Sequence, residues 1–361
     1  MSLIVLREEL SAVDRRILEL IAKRQQIVGS IDRDKLSTGR ATRDYEREKM
    51  VLKAARARAR ALSISPDLAE EVIRSLIQSS LASQERHRVA AEGQGDGRDV
   101  LVIGGAGKMG GWFIEFFESQ GFATSCADPR VDPGARQYMD WLDAGLDYDI
   151  IVVATPLAVS NRILCELAER KPRSLVFDIG SLKGPLLEGL MALAAAGCRV
   201  TSMHPMFGPD TELLSGRHLI FVDVGSAEAT AAAKALFAAT MVEQLDMGLD
   251  DHDRLISYVL GLSHILNIAF LTALAESHEV APKLQQMSSS TFDAQLQVAA
   301  GVAQDNPHLY FEIQRLNDFG LQSLDSLCDS VLRLRQMVAD GDEEGFVRIM
   351  EQGREYLAAR A

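Results

Sequence analysis

Gly105-Ala106-Gly107-Lys108-Met109-Gly110 follows the apolar run Val100–Ile103 after Gly104, and it constrains the fold more than any other stretch of this 361-residue chain. A strand that ends in closely spaced glycines and continues as a helix brings bare backbone N–H groups to a helix N-terminus, where a pyrophosphate can rest. The next apolar run, Ala123–Ala127, ends at Asp128. A carboxylate there accepts hydrogen bonds from ribose hydroxyls and repels a 2′-phosphate, with Arg130 close by as an opposing charge.

The same rhythm continues beyond that turn. Ile150–Ala154, Leu175–Ile179, Val200–Met203 and Leu219–Val224 read as further strands alternating with helices, the pattern of a doubly wound parallel sheet over residues 99–246. From 247 to 361 the strands stop and long amphipathic helices take over, such as Leu255–Ala275 and Asp318–Val338. Residues 1–88 read as helix almost throughout, and the small, Gly-rich stretch 89–98 reads as a linker. The four cysteines are scattered with no Cys-x-x-Cys pair, so no zinc site or disulfide framework is expected and a cytoplasmic location fits. Charges appear at Arg7, Glu8 and Glu9, which argues against a secretory signal, and no apolar run approaches the roughly 18 residues of a membrane helix.

Net charge is −13, unevenly placed. Residues 1–88 hold 18 Lys+Arg against 13 Asp+Glu, and the remainder 20 against 38. A basic module can grip nucleic acid or a small anion, and the positions of the charges decide between them. Leu6, Leu10, Val13 and Ile17 form an apolar stripe. Arg24 lies 18 residues, or five turns, beyond Leu6 and so projects from that stripe, and Lys35 lies about 20° further round. Ser65-Pro66 starts a third helix whose Ile73, Leu76 and Ile77 stripe continues into Ser80 and Gln84. Asp44 and Glu48 sit four apart around Arg47 on the second helix. Polar groups on buried faces need partners, and this set converges on a compact anion. The bland reading is that the cations snorkel or pair with a buried acid, and Ser80 and Gln84, again polar on a buried face, weigh against it. Nucleic acid would want the basic groups outward and aromatic side chains between them, which this segment lacks.

Residues 3–88 resemble the all-helical chorismate mutase family, ungapped from Leu6-Arg7 through Gln84. The resemblance implies that Arg7, Arg24 and Arg47 hold the two substrate carboxylates. It implies that Lys35 and Gln84 donate to the ether oxygen of the breaking bond, while Asp44, Glu48 and Ser80 bind the ring hydroxyl or support the arginines. In the family the residue matching Arg7 reaches the partner subunit's site, so an intertwined homodimer with shared mutase sites is expected. A pericyclic rearrangement needs the reactive conformer held in place and donors aimed at the oxygen that gains charge, not an acid or a nucleophile.

Polar residues also collect where strands end: Thr155-Pro156, then Ser181 and Lys183, then His204-Pro205-Met206-Phe207-Gly208-Pro209. In open parallel sheets those ends line the ligand crevice. Residues 99–355 resemble the prephenate dehydrogenase family through the glycine run and the His204–Pro209 motif. By that resemblance His204 accepts the proton of the ring 4-hydroxyl as hydride leaves C4, and Ser181 helps orient both. NAD is the implied cofactor, held by Gly105, Gly107, Lys108, Met109, Gly110, Asp128, Thr155 and Pro156, with no metal. His252-Asp253 and His264 match further positions of the helical domain. The implied fold is an all-α mutase domain, an α/β Rossmann-type doubly wound parallel sheet and an all-α dimerisation domain.

One departure concerns the substrate. Counting back from Asn306-Pro307-His308-Leu309-Tyr310, the family's ring-carboxylate arginine falls at Gly301, and an accompanying arginine at Asp293. Lys183 or Arg315 is then the candidate replacement. Asp293 also opens the reading that the substrate carries an ammonium, as in arogenate or a 4-amino-4-deoxy analogue. Two other classes stay in view: a regulatory or nucleic-acid-binding protein with a nucleotide-sensing domain, and a small 3-hydroxyacid dehydrogenase with a helical dimerisation arm.

Overall fold

The computed structural model describes residues 2–359. The chain divides into two compact units. The first takes residues up to 155 with 167–179 and 193–246. The second takes 156–166, 180–192 and 247 onward.

The first unit opens with three helices, α1 (Leu3–Ser37), α2 (Tyr45–Ala61) and α3 (Pro66–Ala91). Local chemistry sets their ends. Gly39 takes a φ of +64° just after α1, the Asp44 carboxylate caps α2, and Ser65 caps α3 with Pro66 in its first turn. α3 continues to Ala91, into the segment read as a linker, because Val89 is buried in the core of the sheet domain. The Gly-rich stretch after it is docked as well. Gly95 N–H donates to Gln120 O at 2.9 Å, and a Cβ on Gly93 would lie 2.6 Å from Gln120 O. Glycine serves there for close approach rather than for flexibility.

The stripe Leu6, Leu10, Val13 and Ile17 was expected to face a core. All four are exposed, Leu10 by 61%. At about 1.5 Å per residue α1 is roughly 50 Å long, and its first five turns carry no buried residue.

The sheet strands are β1 (Asp99–Ile103), β2 (Ala123–Ala127), β3 (Gln137–Tyr138), β4 (Ile150–Val153), β5 (Leu175–Asp178), β6 (Arg199–Pro205), β7 (His218–Val222) and β8 (Glu243–Met247). Their spatial order is β3-β2-β1-β4-β5-β6-β7-β8. The helices between them are α4 (Lys108–Ser119), α5 (Leu157–Arg170), α6 (Leu187–Ala195) and α7 (Ala227–Ala235). Pairing is parallel from β3 through β6, and the order reverses after β1, as in a doubly wound sheet. β7 departs from the expected all-parallel pattern: it runs antiparallel to β6, with His204 opposite Ile220. Val100, Val102, Ile150, Val152 and Phe177 meet an aromatic layer in which Phe116 stacks on Phe237 with centroids 4.8 Å apart.

The second unit is helical from α8 (Leu249–Ile256) through a π-helical stretch, Ser257–Leu262, into α9 (Ser263–Glu276). It continues with α10 (Ala281–Gln286), α11 (Ser290–Gln304), α12 (Pro307–Leu316), α13 (Gly320–Asp340) and α14 (Glu343–Ala358). Leu249–Glu276 is long and apolar enough, by length and composition, to cross a membrane, which corrects the expectation of no such window. Ser257, Ser263, His264 and Asn267 break the apolar run within Leu255–Ala275, so a reading by unbroken runs does not find it.

Candidate active sites of the two halves

In the helical arm the structure joins α1 to α3 through the predicted polar positions. Arg24, half-buried, donates to the Ser80 hydroxyl at 2.6 Å and to Leu76 O at 2.9 Å, and burial pulls its pKa down. Ser80 (3% exposed) and Gln84 (7%) lie on the buried face, as their spacing implies. Gln84 Nε2 donates to Ser80 O at 3.3 Å, a weak bond that a better acceptor can displace. Gln84 Oε1 is buried with no hydrogen-bond partner, so the amide has capacity for a ligand. It opens on a cleft of about 280 Å³ that Gln25, Asp32, Ser79 and His87 also line.

The remaining mutase candidates are spread further. Lys35 donates to Thr42 O at 2.6 Å, which keeps its ammonium turned into the chain reversal between α1 and α2. Asp44 accepts from Arg47 N–H at 2.9 Å as the cap of α2, a structural use that its place in the resemblance does not reveal. Glu48 is held from both oxygens by Arg43, and the Arg47 side chain is exposed. Arg7 sits on the exposed first turns of α1. Sequence reasoning missed Arg43, Gln25, whose Oε1 accepts from Ser80 at 3.1 Å, and Glu85. Glu85 is 3% exposed and accepts from the backbone N–H of Leu214 and Met241. Burial raises its pKa, and the two N–H groups pull the other way.

In the sheet, Gly104 takes a φ of +89°, and a Cβ on it would lie 2.5 Å from Ala154 O. A Cβ on Gly105 would meet Cys126 Sγ at 2.5 Å, so the turn is closed to larger residues. Gly107 caps α4 with no side-chain hydrogen bond, which leaves the first N–H groups of that helix, those at Lys108 and Met109 included, to an anion. This cradle fits a dinucleotide pyrophosphate. Asp128 is buried just past β2, and Arg130 grips it through Nε at 2.9 Å and Nη2 at 3.0 Å. The guanidinium holds this carboxyl below the usual aspartate range, against the opposing effect of burial. Thr155 lies beyond β4 in this unit, and Pro156 next to it starts the other. His204 is buried (4% exposed) one residue before the end of β6.

The second unit has its own polar centre. Asp253 accepts from Lys183 N–H at 2.9 Å, from Gly184 N–H at 2.7 Å and from His252 Nδ1 at 2.7 Å. Burial pushes its pKa up, but those donors outweigh it and the net shift is downward. Ser181 is half-buried just before this turn, and the Lys183 side chain is fully buried. His264 stacks on Tyr310 with centroids 4.0 Å apart, and burial lowers its pKa. Burial, followed by Asp305, pushes the Tyr310 phenol up to about 12. Asp293 occupies the first turn of α11, accepts from Ser288 Oγ and is exposed. Arg315 is exposed near the end of α12, and Gly301 has open space where a side chain would stand. Among the hydrogen bonds and ion pairs of the described residues, none joins Asp293 or Arg315 to His264.

Comparison with known proteins bears on the same three segments. Residues 6–85 match chorismate mutase type II, residues 132–243 the nucleotide-binding domain of prephenate dehydrogenase, and residues 249–352 its dimerization domain. A T-protein of Enterobacter agglomerans is 24% identical over 359 residues, 99% of this chain and 94% of that one. The chain joins a chorismate mutase type II domain to both domains of prephenate dehydrogenase. The match over residues 132–243 makes the sheet half of the fused enzyme a nucleotide-binding domain. The nucleotide-binding match begins beyond Gly105–Gly110, so the role of that turn rests on its geometry.

The fused enzyme is also 28% identical to a 4-amino-4-deoxyprephenate dehydrogenase of Streptomyces pristinaespiralis over 269 residues, 71% of this chain and 90% of that one. It shares its fold with a prephenate dehydrogenase from A. aeolicus solved in complex with hydroxyphenyl propionate and NAD+. The TM-score is 0.60 at 18% identity, over 73% of this chain and 98% of that one.

Proposed function

We propose that this chain rearranges chorismate to prephenate in its helical arm and then oxidatively decarboxylates prephenate to 4-hydroxyphenylpyruvate, two consecutive steps of tyrosine biosynthesis. The observation that carries the first step is the group formed by half-buried Arg24 on α1 with buried Ser80 and Gln84 on α3. A fixed cation selects the dianion's reactive conformer, and Lys35 and Gln84 donate to the ether oxygen as it gains charge. In the second step His204 takes the proton of the ring hydroxyl while hydride leaves for the nicotinamide. Carbon dioxide departs with aromatisation of the ring, which makes the step irreversible. Ser181 orients the reacting hydroxyl.

The assembly proposed is a homodimer in which α1 lays its apolar stripe against a second copy and Arg7 reaches the partner's mutase site. Exposure of Leu6, Leu10, Val13 and Ile17 supports it. The free cysteines favour a cytoplasmic setting.

A second reading of the dehydrogenase substrate rests on Asp293 and Gly301, a carboxylate and an open position where the resemblance puts arginines. The relative from Streptomyces pristinaespiralis, named for an amino substrate, supports it. The test is NADH formation with prephenate, arogenate and 4-amino-4-deoxyprephenate offered separately. The main reading expects prephenate to give the highest kcat/KM. Turnover of an amino substrate alone replaces it with the second.

A further inference from the structure

Glu48 and Gln84, two residues of the mutase site proposed above, are each one link away from two adjacent residues of the dinucleotide-binding half, Ser215 and Leu214. Arg43 makes the first link. Its Nε and Nη2 hold both Glu48 oxygens at 2.9 Å, and its Nη1 donates to Ser215 Oγ at 2.6 Å. The same guanidinium lies 4.4 Å from the centroid of the Tyr45 ring, so it is fixed from a third side. Glu85 makes the second link. It follows Gln84 on α3 and accepts from Leu214 N–H at 2.7 Å and from Met241 N–H. Any rotation of α3 that moves the Gln84 amide must break this buried pair of bonds and leave two donors without partners. The loop holding Leu214 and Ser215 starts from the His204–Pro209 motif and is pinned at Thr211 O by Trp112 Nε1, at 3.1 Å.

We infer that Arg43 and Glu85 are positioning residues of the chorismate site, and that the 208–217 loop of the dinucleotide-binding half braces that site through them. Arg43 fixes the rotamer of Glu48 by holding both its oxygens, and Ser215 fixes Arg43. Glu85 sets the rotation of α3 at the residue next to Gln84. A substitution in the dehydrogenase half therefore changes mutase kinetics without touching the mutase helices. This rests on the proposed mutase activity.

The experiment uses the full chain and measures chorismate loss and NADH formation from the preferred dehydrogenase substrate in parallel, with thermal midpoints. Arg43→Ala is expected to lower mutase kcat/KM about tenfold, the scale of one charge-assisted hydrogen bond. Ser215→Ala is expected to lower it about threefold through KM, because a single neutral partner is lost. Arg43→Lys recovers part of the loss, since it keeps the charge but not the fork. In all three variants NADH formation stays within about twofold of the parent. Mutase parameters unchanged in both Arg43→Ala and Ser215→Ala overturn the inference. So do two activities that fall by one common factor together with the thermal midpoint, which marks the contacts as structural only. A parent chain that fails to consume chorismate removes the proposed function and this inference with it. An active parent with unaffected variants removes the inference alone.

Discussion

Arg24 on α1 donates to the Ser80 hydroxyl on α3 at 2.6 Å, across 56 residues of sequence. A cation whose pKa burial already depresses is thus held by one neutral hydroxyl and one carbonyl, with no carboxylate in its hydrogen bonds. A dianion that meets it gains a charge-assisted contact in a partly desolvated setting. Arg24→Ala is therefore expected to reduce mutase kcat/KM by about a hundredfold or more while NADH formation continues at the parent rate. Arg24→Lys, a point charge without the fork, should recover only part of the loss.

Gln84 gives the mutase a pH signature. A carboxamide donates at any pH, whereas a carboxyl group in its place would have to be protonated first. The mutase rate is expected to be nearly flat between about pH 5 and 8, and Gln84→Glu to fall steeply with rising pH across the same range. A parent rate that drops sharply above about pH 6 contradicts the assignment.

Asp128 and Arg130 are expected to set the nucleotide preference together. The carboxylate is buried and gripped from both oxygens, so Arg130 is committed to Asp128 rather than to a phosphate. Asp128→Ala frees the guanidinium and removes the ribose acceptor. KM for NAD should rise about tenfold and the NAD-to-NADP preference should shrink by at least as much. Steady-state kinetics with both nucleotides measures it, and an unchanged preference places specificity elsewhere.

Asp253 couples stability to pH in a defined direction. Its folded pKa lies below the ordinary 3.8, so its ionised form stabilises the fold above that value. That contribution is lost as pH falls through the lower folded value. Asp253→Asn leaves one oxygen for three donors, those of Lys183, Gly184 and His252. It should cost about 2–4 kcal/mol at neutral pH. Thermal melts of parent and variant should differ most near pH 7 and converge below about pH 4. A gap that persists or widens in acid contradicts the account.

The glycine turn, the strands β1, β2, β4, β5 and β6, and the caps at Ser65-Pro66 were legible because each is local: spacing, a bare backbone and a helix start suffice. β3 is two residues long, and β8 is the mostly polar Glu243–Met247, so neither shows the apolar run that marks a buried strand. The antiparallel entry of β7 is invisible because buried strands of either direction carry the same pattern. In the mutase half, helical phase placed Ser80 and Gln84 on a buried face, and Arg24, half-buried, meets Ser80. It could not find Arg43 or Glu85, whose partners lie 172 and 129 residues further along the chain. The stripe of α1 is exposed although its spacing is that of a covered face, because amphipathic spacing does not say what covers a face.

The most direct measurement follows chorismate loss and NADH appearance together, with chorismate and NAD as the only substrates, on the parent chain and on His204→Asn. The parent is expected to consume chorismate and release NADH in step. His204→Asn, which removes the base at the end of β6, should consume chorismate at the parent rate and release none. A parent that yields neither signal, or a His204→Asn chain that loses both, contradicts the claim that one polypeptide carries two successive and separate active sites.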